Sequence, residues 1–251
     1  MRHARPPRLT GVITRRPVQL ALLAASAAAA ATCITAARSA ALGWGSTAYE
    51  RWRPLPGDEL VAHPDLVATR AITIDAPCRE VWPWVVQVGQ GRGGFYSYDR
   101  LENLAGLGVR SADRVMPELQ SLDVGDTVRL APRVALTVEE VVPGRAVVLS
   151  GDCDPTDPRE PLVLDDHGRA VTSTGPAPYE FSWAFVLVPT GEDTCRLVVR
   201  ERYGYTAAWS AAVAEPVGWV SAVMTQRMLR GIRDRAQGER LRNGSQATAV
   251  A

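Results

Sequence analysis

One carboxylate in this sequence sits where a carboxylate is costly. Leu197, Val199, Glu201, Tyr203 and Tyr205 alternate along one predicted strand face, opposite Arg196, Arg200 and Arg202. A charge among apolar neighbours needs a partner or a purpose. Glu201 can anchor a polar group of a ligand, or act as an acid/base with a raised pKa. The structural alternative is an ion pair with one of the chain's many arginines, such as Arg92 or Arg100. A second candidate is the segment Gly89 to Tyr98, with four glycines in its first six residues. Such density lets backbone approach a ligand closely, and Phe95, Tyr96 and Tyr98 could then face it. It follows a helical pattern rather than a strand, so it is not a dinucleotide fingerprint. The alternative is a tight bend whose aromatics pack against a sheet.

Other chemistries are excluded or weak. All 28 basic residues are Arg, which removes Schiff-base and phosphate-loop lysines. Three histidines and four cysteines lie far apart without metal-ligand spacing, so no metal and no cofactor is called for. Cys33, Cys78, Cys153 and Cys195 read mainly as isolated small apolar residues, with one disulfide as the alternative. A net charge of +1 with dispersed arginines argues against nucleic acid as a partner. Asp99, Glu102 and Asn103 fall at helical spacing and read as a solvated or capping face. Met224 and Met228 read as core or as an adaptable pocket lid.

The positioning elements follow from periodicity. Val67–Asp75 alternates as a strand, and Ala76-Pro77 opens a helix whose face carries Val81, Trp84, Val85 and Val88. Pro83 should kink it or start a second helix. A short helix over Tyr98–Ala105 comes next, then strands over Val124–Ala131, Val134–Val142 and Arg145–Ser150, separated by Gly and Pro turns. Residues 152–178 read as a long polar loop. Glu180–Val188 and Arg196–Tyr205 form the clearest strand pair. Phe181, Trp183, Phe185 and Leu187 share one face there, expected to be concave. Pro216–Ala236 is an amphipathic helix with Val217, Val220, Met224 and Met228 on one side.

Ahead of this domain, five arginines without an acid precede Pro17–Ala37, a charge-free run of 21 residues long enough to cross a bilayer. An uncleaved signal anchor is favoured over a cleaved export signal and over a soluble Ala-rich helix. The arginine bias puts the N-terminus in the cytoplasm and the domain beyond the membrane. The organisation expected is a basic tail over 1–17, a membrane or signal segment over 18–37, a linker over 38–66, a domain over 67–237 and a polar tail over 238–251.

Particular stretches carry a family likeness: Ile72-Thr73-Ile74-Asp75-Ala76-Pro77 running into Val81-Trp82-Pro83-Trp84, the glycine-rich run to Tyr98, and Leu101-Glu102-Asn103. Together with the element order, they resemble bacterial START-like (SRPBCC) proteins of the polyketide cyclase/dehydrase-like type, over about Val67–Gln237. The resemblance implies an α+β helix-grip fold, in which a curved antiparallel sheet of six or seven strands grips the C-terminal helix around a cavity. That superfamily includes lipid carriers, hormone receptors, cyclases and ring-oxygenase components, and no catalytic motif carries over to this chain. The lining expected is Phe95, Tyr96, Tyr98, Phe181, Trp183, Phe185, Glu201 and Tyr203. A membrane-tethered binding or carrier protein for a hydrophobic small molecule is therefore favoured. A cyclase/dehydrase-type enzyme, which would need a convergent acid/base, and a non-catalytic assembly factor are the alternatives.

Overall fold

The computed structural model describes residues 15–104, 106, 108–132, 134–153, 163–164, 170–171 and 179–250. The chain divides into two compact units at Ala40/Ala41. The first contains most of helix α1 (Arg15–Leu42), with the side chains of Leu20, Leu22, Leu23 and Ile34 exposed. The arginines at 2, 5 and 8 lie outside the described residues.

In the second unit, β1 (Leu66–Ile74), β2 (Thr127–Ala131), β3 (Val134–Val142), β4 (Ala146–Cys153), β7 (Tyr179–Gly191) and β8 (Thr194–Tyr205) form one antiparallel sheet in the order β1-β8-β7-β4-β3-β2. A two-residue hairpin, β5 (Val163–Leu164) with β6 (Ala170–Val171), interrupts the stretch expected to be a loop, most of which lies outside the described residues. The concave face carries Phe181, Trp183, Phe185 and Leu187 of β7 and Leu197, Val199 and Tyr203 of β8, all buried in the main core. Helices α3 (Cys78–Val86) and α5 (Ala211–Val250) pack on this face, with the short α4 (Asp99–Leu104) between them in sequence. This is the helix-grip arrangement of an α+β domain.

Three local expectations change. Pro83 does not start a second helix: α3 runs through it. Helix α5 begins five residues before Pro216 and continues to Val250 rather than ending at Ala236. Glu239 to Arg242 are good helix formers, and Arg240 is held by Asp193 at 2.8 Å and by the Asp75 carbonyl. The third change concerns residues 41–66, expected to be a linker. They belong to the domain: residues 41–45 run beside β1, where Leu42 and Trp44 pack on the main core, and residues 47–61 lie over the convex face of the sheet. Helix α2 (Ala48–Trp52) opens on a capping box between Thr47 and Glu50. The convex-face arginines of β8 then act as clamps. Arg196 pairs with Glu50, Arg200 with Asp58, and Arg200 also donates to the carbonyls of Glu50, Arg51 and Arg53. Arg202 donates to the Val61 carbonyl. A proline-rich segment has few backbone bonds of its own, so side-chain donors from the sheet satisfy its carbonyls.

Cys78, at the start of α3, forms a disulfide with Cys195 of β8 across 117 residues of sequence. The reading of these two as isolated apolar residues is thereby corrected. Spacing along a chain cannot disclose a pairing between elements made adjacent by the fold.

Candidate functional site

Glu201 enters the concave face from β8 and is 2% exposed. Its cation is Arg70 of β1, not Arg92 or Arg100. Arg70 sits opposite Val199, two residues from Glu201, so the two side chains meet diagonally across the β1–β8 ladder. The Arg70 guanidinium donates to Glu201 Oε1 at 2.8 Å and to the Ala41 carbonyl at 2.9 Å. Arg92 instead donates to the carbonyls of Val86 and Leu119.

Helix α5 supplies the remaining donors. Ser221 donates to Glu201 Oε2 at 2.6 Å, and Thr225, one turn on, donates to Oε1 at 2.8 Å. Tyr203 donates to Oε2 at 3.0 Å. Four donors occupy the capacity of one carboxylate. Burial alone would raise the Glu201 pKa, but Arg70 and the hydroxyls outweigh it and hold the group below its ordinary value. The same burial, with the Glu201 charge beside it, pushes the Tyr203 phenol well above its usual pKa. The site has neither a free lone pair nor a mobile proton, so it fastens α5 to the sheet.

Beside this cluster lies a cavity of about 310 Å³ between the sheet and α5. Phe181, Trp183 and Tyr203 line its sheet side, and Val217, Val220, Met224 and Met228 line the helix side. These α5 positions recur every three or four residues, as does the Ser221/Thr225 pair, so one helical stripe both closes the void and binds Glu201. Val220 is 63% exposed and marks where the cavity opens to the surface. Of the residues expected from the sequence, Phe95, Phe181, Trp183, Glu201 and Tyr203 meet around this space.

Tyr96, Tyr98 and Phe185 do not. Phe185 points to the same side as Trp183, its ring tilted 54° to the indole with centroids 4.6 Å apart, but it is buried deeper in the core. Tyr98 is exposed. Tyr96 is buried in the left-handed region, at φ 55°, with its ring edge-on to Trp84 and under the Arg235 guanidinium. Gly231 of α5 lies flat against its backbone, where a Cβ would strike the Tyr96 carbonyl. The glycine-rich segment is thus the tight bend. It hydrogen-bonds back on itself through Gly89 and Gly94 and covers the β2 edge through Gln90 N–H to the Arg129 carbonyl.

One lining residue reverses its sequence reading. Asp99 and Asn103 do cap local backbone: Asp99 accepts from Ser111, and Asn103 bonds both the N–H and the carbonyl of Val109. Glu102, between them, is turned into the cavity wall, 2% exposed, with no well-aligned hydrogen bond to either carboxyl oxygen among the described residues, the Ser97 hydroxyl acting on it only as a weak donor. Burial raises its pKa. The nearby Ser97 hydroxyl opposes this and the Asp99 charge adds to it. Only its position on a six-residue helix distinguishes it from its solvated neighbours, and no signal in the sequence could have separated them.

Fold and site together define a helix-grip α+β domain with an internal, largely apolar cavity. No protein-family model and no curated protein matches the chain. Among solved structures it is similar to a Nitrosospira multiformis protein, at 13% identity over 67% of this chain and 94% of that one, with a TM-score of 0.39. A Helicobacter pylori hypothetical protein is similar at 12% identity, over 73% and 95%, with a TM-score of 0.40. A protein of the dynemicin biosynthetic locus is similar at 17%, over 66% and 47%, with a TM-score of 0.34. Identities of this size say nothing about ligand or reaction.

Proposed function

We propose that this chain is a START-like (SRPBCC) carrier that holds a hydrophobic small molecule between the sheet and α5 while fixed to a membrane through residues 18–37. The cavity carries this reading: about 310 Å³, walled mainly by apolar and aromatic side chains, and open beside Val220. Glu201 supports binding over catalysis, because all four of its bonds are already made within the domain. Native mass spectrometry of the purified full chain should release a small hydrophobic molecule on extraction. Met224→Trp, which adds an indole at the mouth, should lower occupancy at least about tenfold with little change in melting temperature. An empty wild-type cavity that also takes up no apolar probe would sink the carrier reading.

Two observations support a domain on the far side of the membrane. Residues Leu22–Leu42 form a helix long and apolar enough to span a bilayer, following a basic N-terminus. The Cys78–Cys195 disulfide suits an oxidising compartment. Protease added to intact spheroplasts should therefore digest the domain. A domain that survives until lysis is cytoplasmic, and a full-length protein absent from the membrane fraction has no anchor.

A further inference from the structure

We infer that the cavity selects a ligand bearing a basic nitrogen, an amine whose ammonium pairs with Glu102 while its apolar body lies against the aromatic wall. This rests on the carrier reading and names the ligand's chemical class. Among the described residues that line the cavity two are acids at neutral pH, Glu102 and Glu201, and none is basic. Arg70 neutralises Glu201. Among the described residues Glu102 has no counter-ion and no well-aligned hydrogen bond, only the nearby Ser97 hydroxyl, although it is 2% exposed.

A buried carboxyl without a counter-ion costs the free protein stability, and its raised pKa expresses the same cost. A bound ammonium removes that cost, and an anionic ligand adds to it. The rings of Tyr179, Phe181, Trp183 and Tyr203 line the same space, and aromatic rings attract a cation placed over them. Glu201 cannot serve as this anchor, because its capacity is filled.

Three soluble naphthalene probes identical except at the head test the assignment: 1-naphthylmethylamine, 1-naphthylmethanol and 1-naphthoic acid, titrated calorimetrically into the full chain in amphipol. The amine should bind about tenfold more tightly than the alcohol, and the acid most weakly. Glu102→Gln should bring the amine to the alcohol's affinity and leave the alcohol unchanged. Partitioning into the amphipol is common to both proteins and cancels in that comparison. Glu102→Met, which removes the buried carboxyl, should raise the melting temperature of the empty protein by about 2–6 °C. Equal binding of amine and alcohol, unaffected by Glu102→Gln, leaves the pocket standing and overturns the amine assignment. Failure of all three probes overturns pocket and anchor together. A lower melting temperature in Glu102→Met shows a structural role for the carboxyl and also overturns the assignment.

Discussion

Arg70→Leu should destabilise the domain by about 3–5 kcal/mol, because it leaves the Glu201 charge buried without its cation. Leucine fills much of the space, so the loss is electrostatic rather than a packing defect. The pair also sets a pH dependence. In the wild-type protein Glu201 titrates below its ordinary value of 4.5. Its contribution is therefore fully present above that value and is lost as the pH falls through the folded-state pKa. In Arg70→Leu, burial prevails and the Glu201 pKa rises above the unfolded value. The folded state then binds the extra proton, so through Glu201 the variant should gain stability as the pH is lowered from 7 to 5, a gain that the wild-type Glu201, ionised in both states over that window, does not give. Arg70→Leu combined with Glu201→Met should recover most of the loss, since an apolar pair replaces an ionic one. Urea titrations at pH 5 and 7 measure all of this. A loss under about 1 kcal/mol for the single variant would show that the hydroxyls of Ser221, Thr225 and Tyr203 suffice alone.

Replacing both Cys78 and Cys195 by Ser should cost about 3–5 kcal/mol, since the bond closes a loop of more than a hundred residues in the unfolded chain. The bond ties the first turn of α3 to β8, where Cys195 is fully buried. Loss of the cross-link should leave the Glu201 cluster intact while lowering the denaturation midpoint, and reductant should mimic the double variant in the wild type alone. Alkylation of the protein as isolated from cells should label neither thiol. Labelling of both without denaturant would remove the disulfide and, with it, one of the two supports for a domain beyond the membrane.

Much of the architecture was legible because secondary structure is a local property. Alternation in Phe181, Trp183, Phe185 and Leu187 disclosed both the strand and its buried face. The recurrence of Val217, Val220, Met224 and Met228 disclosed the stripe that closes the cavity. Turn residues located the hairpins, and the costly placement of Glu201 among apolar neighbours singled it out before its partners were known.

A period of two or 3.6 tells which side chains share a face, but not which distant element meets that face. Arg70 became the partner of Glu201 through the β1–β8 register, which joins residues 131 apart in sequence. The same non-local packing buried Phe185 beneath the void instead of beside it. It joined Cys78 to Cys195, laid residues 47–61 over the convex face, and turned Glu102 inward from a helix too short to show a periodicity. Local pattern was enough for the six long strands, the faces of β7 and β8, and the apolar character of the enclosed space. Alternation had already put Glu201 at that space; packing added Glu102 to its wall, saturated Glu201 with Arg70 and three hydroxyls, and left Glu102 without a counter-ion among the described residues. Pairing across the fold depends on register and docking, which no window of sequence contains.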